Sequence, residues 1–263
     1  MMNKKLVQAM IILLSSVAWT LSYEMLYDLI YILVPEEMLN GLEYAFIDSL
    51  ACLFLIICYS LVYYWLIADG KRKLNLDISL EDYGRGLILG FAVGGFSNLW
   101  FLFVEWLLSN GNWFPQTIEQ FDQSWDYTLQ ESYLWVFLSI VVLGPIVEEI
   151  LFRGIIFKVL EHLNKSWVAV FISALLFGIW HGQPVQMGYT FIAGLVFGLA
   201  RLYSGGILLP IFIHIINNLL STLPDSWYAV LSEGIGLFSW LAMIPAYYIL
   251  KEWLKETKTL GNS

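Results

Sequence analysis

Long apolar stretches, separated by short segments that contain proline, glycine or clustered charge, dominate the chain. A helix needs about 20 mostly apolar residues to cross a bilayer. Dividing the chain at its polar breaks predicts eight spans, at 6–33, 42–68, 84–108, 132–153, 166–182, 185–203, 206–223 and 227–250. These runs are continuous rather than ten-residue alternations, which favours helices over a membrane β-barrel. We therefore predict an all-α, polytopic membrane helix bundle that forms a single integral membrane domain over 1–263.

The composition supports a membrane protein. The chain has 263 residues, of which 59% are hydrophobic and 13% charged, whereas soluble domains carry about 25% charged residues. Soluble globular, disordered, coiled-coil and disulfide-scaffold classes are excluded on this ground. The net charge of -9 argues against a nucleic-acid partner, which would favour a basic surface.

Two further features of the apolar runs bear on processing and redox chemistry. The first run extends from Leu6 to Val34, beyond the core of a signal peptide, and predicts an uncleaved first span. Cys52 and Cys58 are six residues apart in the second run and do not face each other on a helix. We expect both to be small buried side chains rather than a disulfide.

The basic residues test the predicted spans independently. With eight spans, all 13 Lys and Arg fall on one side: Lys4, Lys5, Lys71, Arg72, Lys73, Arg85, Arg153, Lys158, Lys165, Arg201, Lys251, Lys255 and Lys258. The opposite loops carry Glu36, Glu37, Glu119, Asp122, Asp126 and Asp225. The positive-inside rule then places both termini in the cytoplasm.

The segment 109–131 is the longest predicted external loop, and it is acidic and aromatic. Its aromatic residues suit a helix lying at the membrane surface; they are Trp113, Phe114, Trp125 and Tyr127. This loop is also the predicted docking surface for any membrane-protein partner.

A first polar cluster lies inside the fourth predicted span. Glu149 and Arg153 are four residues apart, so they share a helix face and can form an ion pair. Glu148 points about 100° away and has no such partner on its own helix, which suits a general base or acid. Pro145 lacks an N–H and predicts a kink. A plain ion-pair network at the helix end is the alternative interpretation.

Two further clusters place histidines in apolar spans. His181 shares a helix face with Phe177, and His214 shares one with Asn218, while Asn217 lies off that face. Each cluster alone is compatible with helix packing. Together with an unpaired Glu they supply a base for water and donors for an oxyanion, as water-mediated acyl-transfer hydrolysis requires. The sequence contains neither G-x-S-x-G nor H-E-x-x-H, so serine and zincin protease chemistry lacks support.

These residues resemble the CPBP family, which comprises type II CAAX prenyl endopeptidases and bacteriocin-processing proteins (the Abi group). The family pattern E-E-x-x-x-R, F-x-x-x-H and H-x-x-x-N corresponds here to 148–153, 177–181 and 214–218. All three motifs occur in order, and the resemblance covers about 130–225. It implies an intramembrane endopeptidase acting on a peptide or membrane-protein substrate.

The resemblance also implies roles for individual residues. Glu148 with His181 would activate the water, and His214 with Asn218 would stabilise the oxyanion. Glu149 would belong to the catalytic set and support the site, with Arg153 and Phe177 as structural support. Glu148, His181 and His214 could hold zinc with an open position, or act in a metal-free glutamate mechanism, and the sequence leaves the cofactor open. The compact set of spans looks like the bacterial branch of the family. By analogy we expect a protein of the bacterial plasma membrane that acts on leader, pheromone or bacteriocin-type peptides.

Two other functions stay open from the sequence. The chain could be a non-catalytic scaffold or regulator that binds a sensor kinase or a cell-wall enzyme. It could also be a proton-coupled transporter, since intramembrane Glu and His mark ion pathways, although we find no inverted repeat of the kind expected there.

The depth of His181 in the membrane needs an explanation. Counting about 1.5 Å per residue from the cytoplasmic ends puts Glu148 and His214 in the inner half or near the middle, and His181 near the external end of its span. We therefore predict that 182–184 turns inward and is buried in protein.

Overall fold

The fold is described from a computed structural model, which covers residues 21–22, 24–30, 32–35, 43–68, 78–111, 115–163 and 166–260. The described residues between 21 and 33 are helical, and eight further helices follow them. They are α1 (Tyr44–Ala68), α2 (Leu80–Gly111), α3 (Pro115–Leu129), α4 (133–163), α5 (Ser166–Trp180), α6 (Pro184–Ser204), α7 (Leu208–Ser221) and α8 (Asp225–Leu260). Within these ranges there is no β-strand. The predicted all-α class is confirmed.

Five of the segments are long and apolar enough to cross a membrane: Tyr44–Trp65, Leu80–Gly111, Tyr133–Glu161, Pro184–Ser204 and Val230–Thr257. The apolar helices α5 and α7 are shorter, with 15 and 14 residues. The protein is therefore a multi-pass integral membrane protein. The count of eight spans and the cytoplasmic termini stay predictions, because most of the predicted first span and the basic residues Lys4, Lys5, Lys71, Arg72 and Lys73 lie outside the described ranges.

Helix α4 is irregular. Its α-helical parts, Tyr133–Val136, Gly144–Glu149 and Phe157–Leu163, alternate with two π-helical turns at Phe137–Leu143 and Ile150–Ile156. The N–H of Gly144 bonds to the carbonyl of Ser139, five residues earlier, which is the π-helical spacing. Pro145 follows directly. The widened turns lie on either side of the Glu148–Glu149 pair, and the kink at Pro145 stays a prediction.

Helix α4 is also the centre of the bundle. All residues from 149 to 160 are buried, so every face of this part of the helix is covered. Leu151, Ile155 and Phe157 belong to a core that also takes in side chains of α1, α2 and α5 to α8. A helix that is hydrophobic on all sides lies inside the bundle. The packing around α4 therefore fixes the position of its polar residues.

Close helix contacts at glycines fix the position of α7 and α8 against α2. A Cβ added to Gly90 would lie 2.5 Å from Ile216 of α7, and one added to Gly95 would overlap the backbone carbonyl of Ser239 in α8. Small residues at such positions let membrane helices approach closely. Helix α7, which carries His214, is thereby held next to α2.

The turn between α5 and α6 differs from the prediction. His181, Gly182 and Gln183 connect the two helices, and Gly182 has a positive φ of 72°, which suits glycine. Gly182 and Pro184 are exposed, so the prediction of a protein-buried turn at 182–184 is wrong. The physical reason is the length of α5, because 15 residues rise only about 22 Å. A helix this short brings His181 to the level of the other motif residues without a buried turn.

Candidate active site

The buried ion pair of α4 anchors the site. Glu149 and Arg153 are both fully buried, with 3.0 Å between Oε1 and the guanidinium. The predicted pair is confirmed. Arg153 also donates to the carbonyl of Gly194 at 3.1 Å and lies 4.5 Å over the ring of Phe177. Hydrogen bonds and aromatic contacts of this kind offset part of the cost of burying two charges.

The carboxylates of α4 reach across to His214 on α7. Glu149 Oε1 accepts a hydrogen bond from His214 Nδ1 at 3.1 Å, because a carboxylate paired with Arg153 can only accept. His214 Nε2 then lies 3.7 Å from Oε2 of Glu148, which has no partner on its own helix. The imidazole also stacks on the ring of Phe197, with 4.7 Å between centroids. Nε2 is therefore the nitrogen that His214 offers to Glu148 and to the cavity described below.

His181 is fixed by its own helix. Its Nδ1 is 2.8 Å from the carbonyl of Phe177, and since a carbonyl only accepts, Nδ1 carries the proton. This leaves Nε2 of the neutral ring with a free lone pair. The ring of Phe177 contacts both imidazoles edge-on, at 4.7 Å from His181 and 5.8 Å from His214. Phe177 therefore packs against both histidines and against Arg153.

Asn218 replaces a backbone donor that α4 lacks. In the π-helical register of this segment, the carbonyl of Ile140 would accept from the N–H of residue 145, but Pro145 has none. Asn218 Nδ2 donates to Ile140 at 2.9 Å instead. Asn217 Nδ2 in turn donates to Asn218 Oδ1 at 3.2 Å and so orients the amide. The second N–H of Asn218 is not needed for this contact.

The motif residues of three segments line one cavity of about 570 Å³. Glu148, Phe177, His181, His214 and Asn218 all contribute to its wall, whereas Glu149 and Arg153 lie behind the wall. The structure thus brings together the four residues for which the sequence predicts direct roles. The pair behind the wall contacts the cavity through His214 and Phe177.

Several polar lining residues were missed by the sequence analysis because they belong to no motif. They are Asp48, Ser97, Asn98, Ser139, Gln186, Tyr189 and Thr190. Asn217, which the sequence places off the face shared by His214 and Asn218, lines the cavity as well. For Asp48 a signal was available, since it is a carboxyl inside the predicted span 42–68 and charged side chains in spans are costly and functional. The others have polar types that are common in membrane helices.

Helix α3 covers part of the cavity. The side chains of Phe121 and Trp125 line it, and Phe121 packs on Phe101 of α2 at 5.3 Å and on Tyr189 of α6 at 6.4 Å. Tyr127 is exposed. The helix predicted within 109–131 is present, while Trp113 and Phe114 lie outside the described residues and its place at the membrane surface stays a prediction.

The metal alternative can be tested on the donor groups. In the described part of the chain, no three His, Cys, Asp or Glu side chains lie close enough together to hold one ion. The zinc candidates Glu148, His181 and His214 therefore do not form a three-ligand set in this arrangement. We derive no step of the reaction through a metal.

The comparisons with known proteins concern the same part of the chain. Residues 130–220 match the family model described as "Type II CAAX prenyl endopeptidase Rce1-like". This range contains α4 to α7 except for the last residue of α7, and it holds all the predicted site residues. No solved structure matches the chain.

Three bacterial relatives match over short segments. An "Uncharacterized 24.3 kDa protein" of Escherichia coli is 38% identical over 82 residues, which are 29% of this chain and 38% of the relative. A "Putative membrane peptidase YdiL" of Bacillus subtilis is 34% identical over 90 residues, 34% of this chain and 36% of the relative. The "Membrane-embedded CAAX protease MroQ" of Staphylococcus aureus is 32% identical over 88 residues, 31% of this chain and 35% of the relative.

The matches thus span little more than a third of each relative's length. The range of the family model, 130–220, contains the helices that carry the three motifs. The resemblance predicted from those motifs is confirmed, since residues 130–220 match the model of the type II CAAX prenyl endopeptidase Rce1-like family.

Proposed function

We propose that this protein is an intramembrane endopeptidase that hydrolyses a peptide bond in a peptide or membrane-protein substrate. The observation that supports it best is the shared cavity, in which Glu148, His181, His214 and Asn218 meet from three segments of a protease-like sequence. Because the curated relatives are bacterial, we place it in a bacterial plasma membrane.

Glu148 and His181 activate the water in this proposal. Glu148 lines the cavity and has no partner on its own helix, and His181 offers the lone pair of Nε2, since its Nδ1 proton is engaged by Phe177. The water oxygen attacks the carbonyl carbon while its proton passes to Glu148. Glu148 then delivers this proton to the leaving nitrogen as the C–N bond breaks.

His214 and Asn218 stabilise the oxyanion that forms on the attacked carbonyl. Glu149 holds Nδ1 of His214, so that Nε2 is directed to the cavity and can donate to the oxyanion when the ring is protonated. Asn218 keeps one N–H for the same purpose, because only the other is used on Ile140. Both side chains are held in position before the reaction by their bonds to Glu149 and Ile140, and such preorganisation makes electrostatic stabilisation effective.

The test uses the purified full-length protein in lipid nanodiscs with a mixture of apolar synthetic peptides, and cleavage is followed by mass spectrometry. Glu148→Gln should lower the cleavage rate at least about 100-fold, since general-base catalysis contributes about 10²–10⁴. His181→Ala should have an effect of similar size. Unchanged cleavage in Glu148→Gln would refute the proposal.

The matched control is Glu105→Gln, which removes an exposed carboxyl of α2 that does not line the cavity. It should cleave like the unaltered protein. A chelator arm separates the two mechanisms that the sequence left open. Activity that is insensitive to the chelator supports the metal-free route, and activity lost to the chelator and restored by Zn²⁺ contradicts it.

The scaffold alternative makes a different prediction for the same variants. A regulator that only binds a membrane partner keeps its cellular phenotype when Glu148 or His181 is replaced. A peptidase loses its phenotype with either change. The inward packing of Phe121 and Trp125 also leaves less of α3 for docking than the sequence indicates.

A further inference from the structure

Asp48 is the one carboxylate of the cavity that the proposed chemistry does not use. It lies on α1, in a segment that is otherwise apolar and outside the range matched by the family model. Its side chain is partly buried and lines the same cavity as Glu148 and both histidines. A carboxyl kept inside a membrane helix is costly and calls for a partner or a function.

The contact that holds Asp48 leaves its charge unbalanced. The hydroxyl of Tyr27 donates to Oδ1 at 3.0 Å, which is a neutral donor. The other carboxylates at this end of α1 serve backbone groups, since Glu131 accepts from the N–H of Ala45 at 2.7 Å and Glu43 from that of Ser132 at 3.0 Å. They add negative charge at this end of α1, and no Lys or Arg stands beside Asp48 among the described residues that line the cavity.

The charge of the cavity follows from its lining. Among the described residues that form its wall, Asp48 and Glu148 are the acids, and there is no Lys or Arg. The arginine of the site, Arg153, is fully buried behind the wall and paired with Glu149. Walls of low dielectric strengthen the field of an unbalanced carboxylate. A cationic group is therefore the complementary ligand.

We propose that Asp48 is a specificity-determining residue that binds a cationic group of the peptide substrate, a Lys or Arg side chain or a free terminal amine. This inference rests on the proposed peptidase function and names the substrate class of the same cavity. The bound cation pairs with Asp48, so that Glu148 remains free for the water. Because Asp48 lies outside 130–220, this preference belongs to this chain rather than to the matched segment.

Asp48→Asn separates the charge from the hydrogen bond. An asparagine Oδ1 still accepts from Tyr27, so a purely structural role of Asp48 survives the change, whereas a charge-based role does not. Asp48→Lys reverses the charge and predicts a reversed preference. Glu105→Gln removes a carboxyl away from the cavity and serves as the control.

Binding is measured on the full-length Glu148→Gln protein in nanodiscs, which keeps the peptides intact. The probes are apolar peptides with acetylated and amidated ends that differ at one scanned position, which is Lys, norleucine or Glu. A norleucine peptide with a free amino terminus distinguishes a terminal amine from a side chain. At its best position, we expect Lys or the free amine to improve affinity about tenfold over capped norleucine.

In Asp48→Asn the affinities of the cationic and capped norleucine peptides should become equal, and in Asp48→Lys the Glu peptide should bind best. The Glu105→Gln control should keep the preference for the cationic peptide. Equal affinities in the presence of Asp48, or a preference that survives Asp48→Asn, would overturn the inference.

The same peptides, added to protein with Glu148 intact, test the peptidase separately. Selective binding without hydrolysis would defeat the proposed function and leave the role of Asp48 in binding. Hydrolysis with the same kcat/KM for Lys, free-amine and norleucine peptides would defeat the role of Asp48 and leave the peptidase.

Discussion

Helices α4 and α8 each contain an internal proline, and they respond to it differently. Around Pro145, α4 has two π-helical turns, and Asn218 of α7 donates a hydrogen bond to the carbonyl of Ile140 in α4. Around Pro245, α8 continues as a regular α-helix over 36 residues. Residues 149 to 160 of α4 are all buried, whereas much of the apolar surface of α8 is exposed.

The difference shows that a proline by itself does not produce a functional irregularity. Both helices are apolar enough to span a membrane. In α4 the widened turns lie on either side of Glu148 and Glu149, and neighbouring helices satisfy the groups that these turns expose. In α8 the charged residues 251, 252, 255 and 256 are exposed near its carboxyl end. The free-energy cost of burying charged side chains therefore falls mainly on α4, which carries Glu148 and Glu149.

The largest expected effect comes from the buried cation of α4. Arg153→Met leaves Glu149 buried without its charged partner, which should lower the free energy of unfolding by about 3–5 kcal/mol. Lys251→Met is the matched change on α8, where the side chain is exposed, and should have an effect below about 1 kcal/mol. Thermal and denaturant unfolding in detergent measures both. Equal effects would remove the contrast between the two helices.

A smaller effect is expected from filling space at a glycine. A Cβ at Gly154 of α4 would lie 3.2 Å from the ring of Tyr63, while one at Gly234 of α8 would meet nothing within 4 Å. Gly154→Leu should therefore destabilise the protein by about 1–3 kcal/mol through overpacking. Gly234→Leu should be neutral or slightly stabilising, because leucine favours a helix over glycine. Tolerance of Gly154→Leu would mean that α4 is less tightly enclosed than described.

The smallest effect tests the two prolines directly in a double-mutant cycle. Asn218→Ala leaves the carbonyl of Ile140 without a donor and should cost about 1–2 kcal/mol of unfolding free energy. In a Pro145→Ala background, residue 145 regains its N–H, so the cost of Asn218→Ala should fall to less than half. In a Pro245→Ala background it should stay the same. A cost that is independent of residue 145 would show that Asn218 does not replace the missing N–H.

The sequence predicts the features that depend on local spacing. Apolar runs give the helices, and four-residue spacing gives the Glu149–Arg153 pair and the shared face of Phe177 and His181. Contacts between helices depend on packing that no local pattern encodes. The bond from His214 to Glu149 and the inward face of α3 belong to this group.

Three other features were beyond a local interpretation. The π-helical register of α4 depends on which carbonyls neighbouring helices can satisfy, and Pro145 alone does not determine it. The buried turn at 182–184 was wrongly predicted because the span at 166–182 was assumed to start at the cytoplasmic surface, which puts its last residues near the external side, whereas α5 is a short helix of 15 residues. Asp48 was overlooked because it stands alone in its helix without a motif.

The short helix α5 has a consequence for the lipid around the protein. Its face with Phe171, Leu175 and Ile179 is exposed, and its 15 residues rise about 22 Å beside a hydrocarbon layer about 30 Å thick. This hydrophobic mismatch would draw the lipid headgroups nearest His181 inward. Acyl-chain length then becomes a variable of the proposed reaction, since bilayers of short-chain lipids relieve the deformation and thick bilayers oppose it.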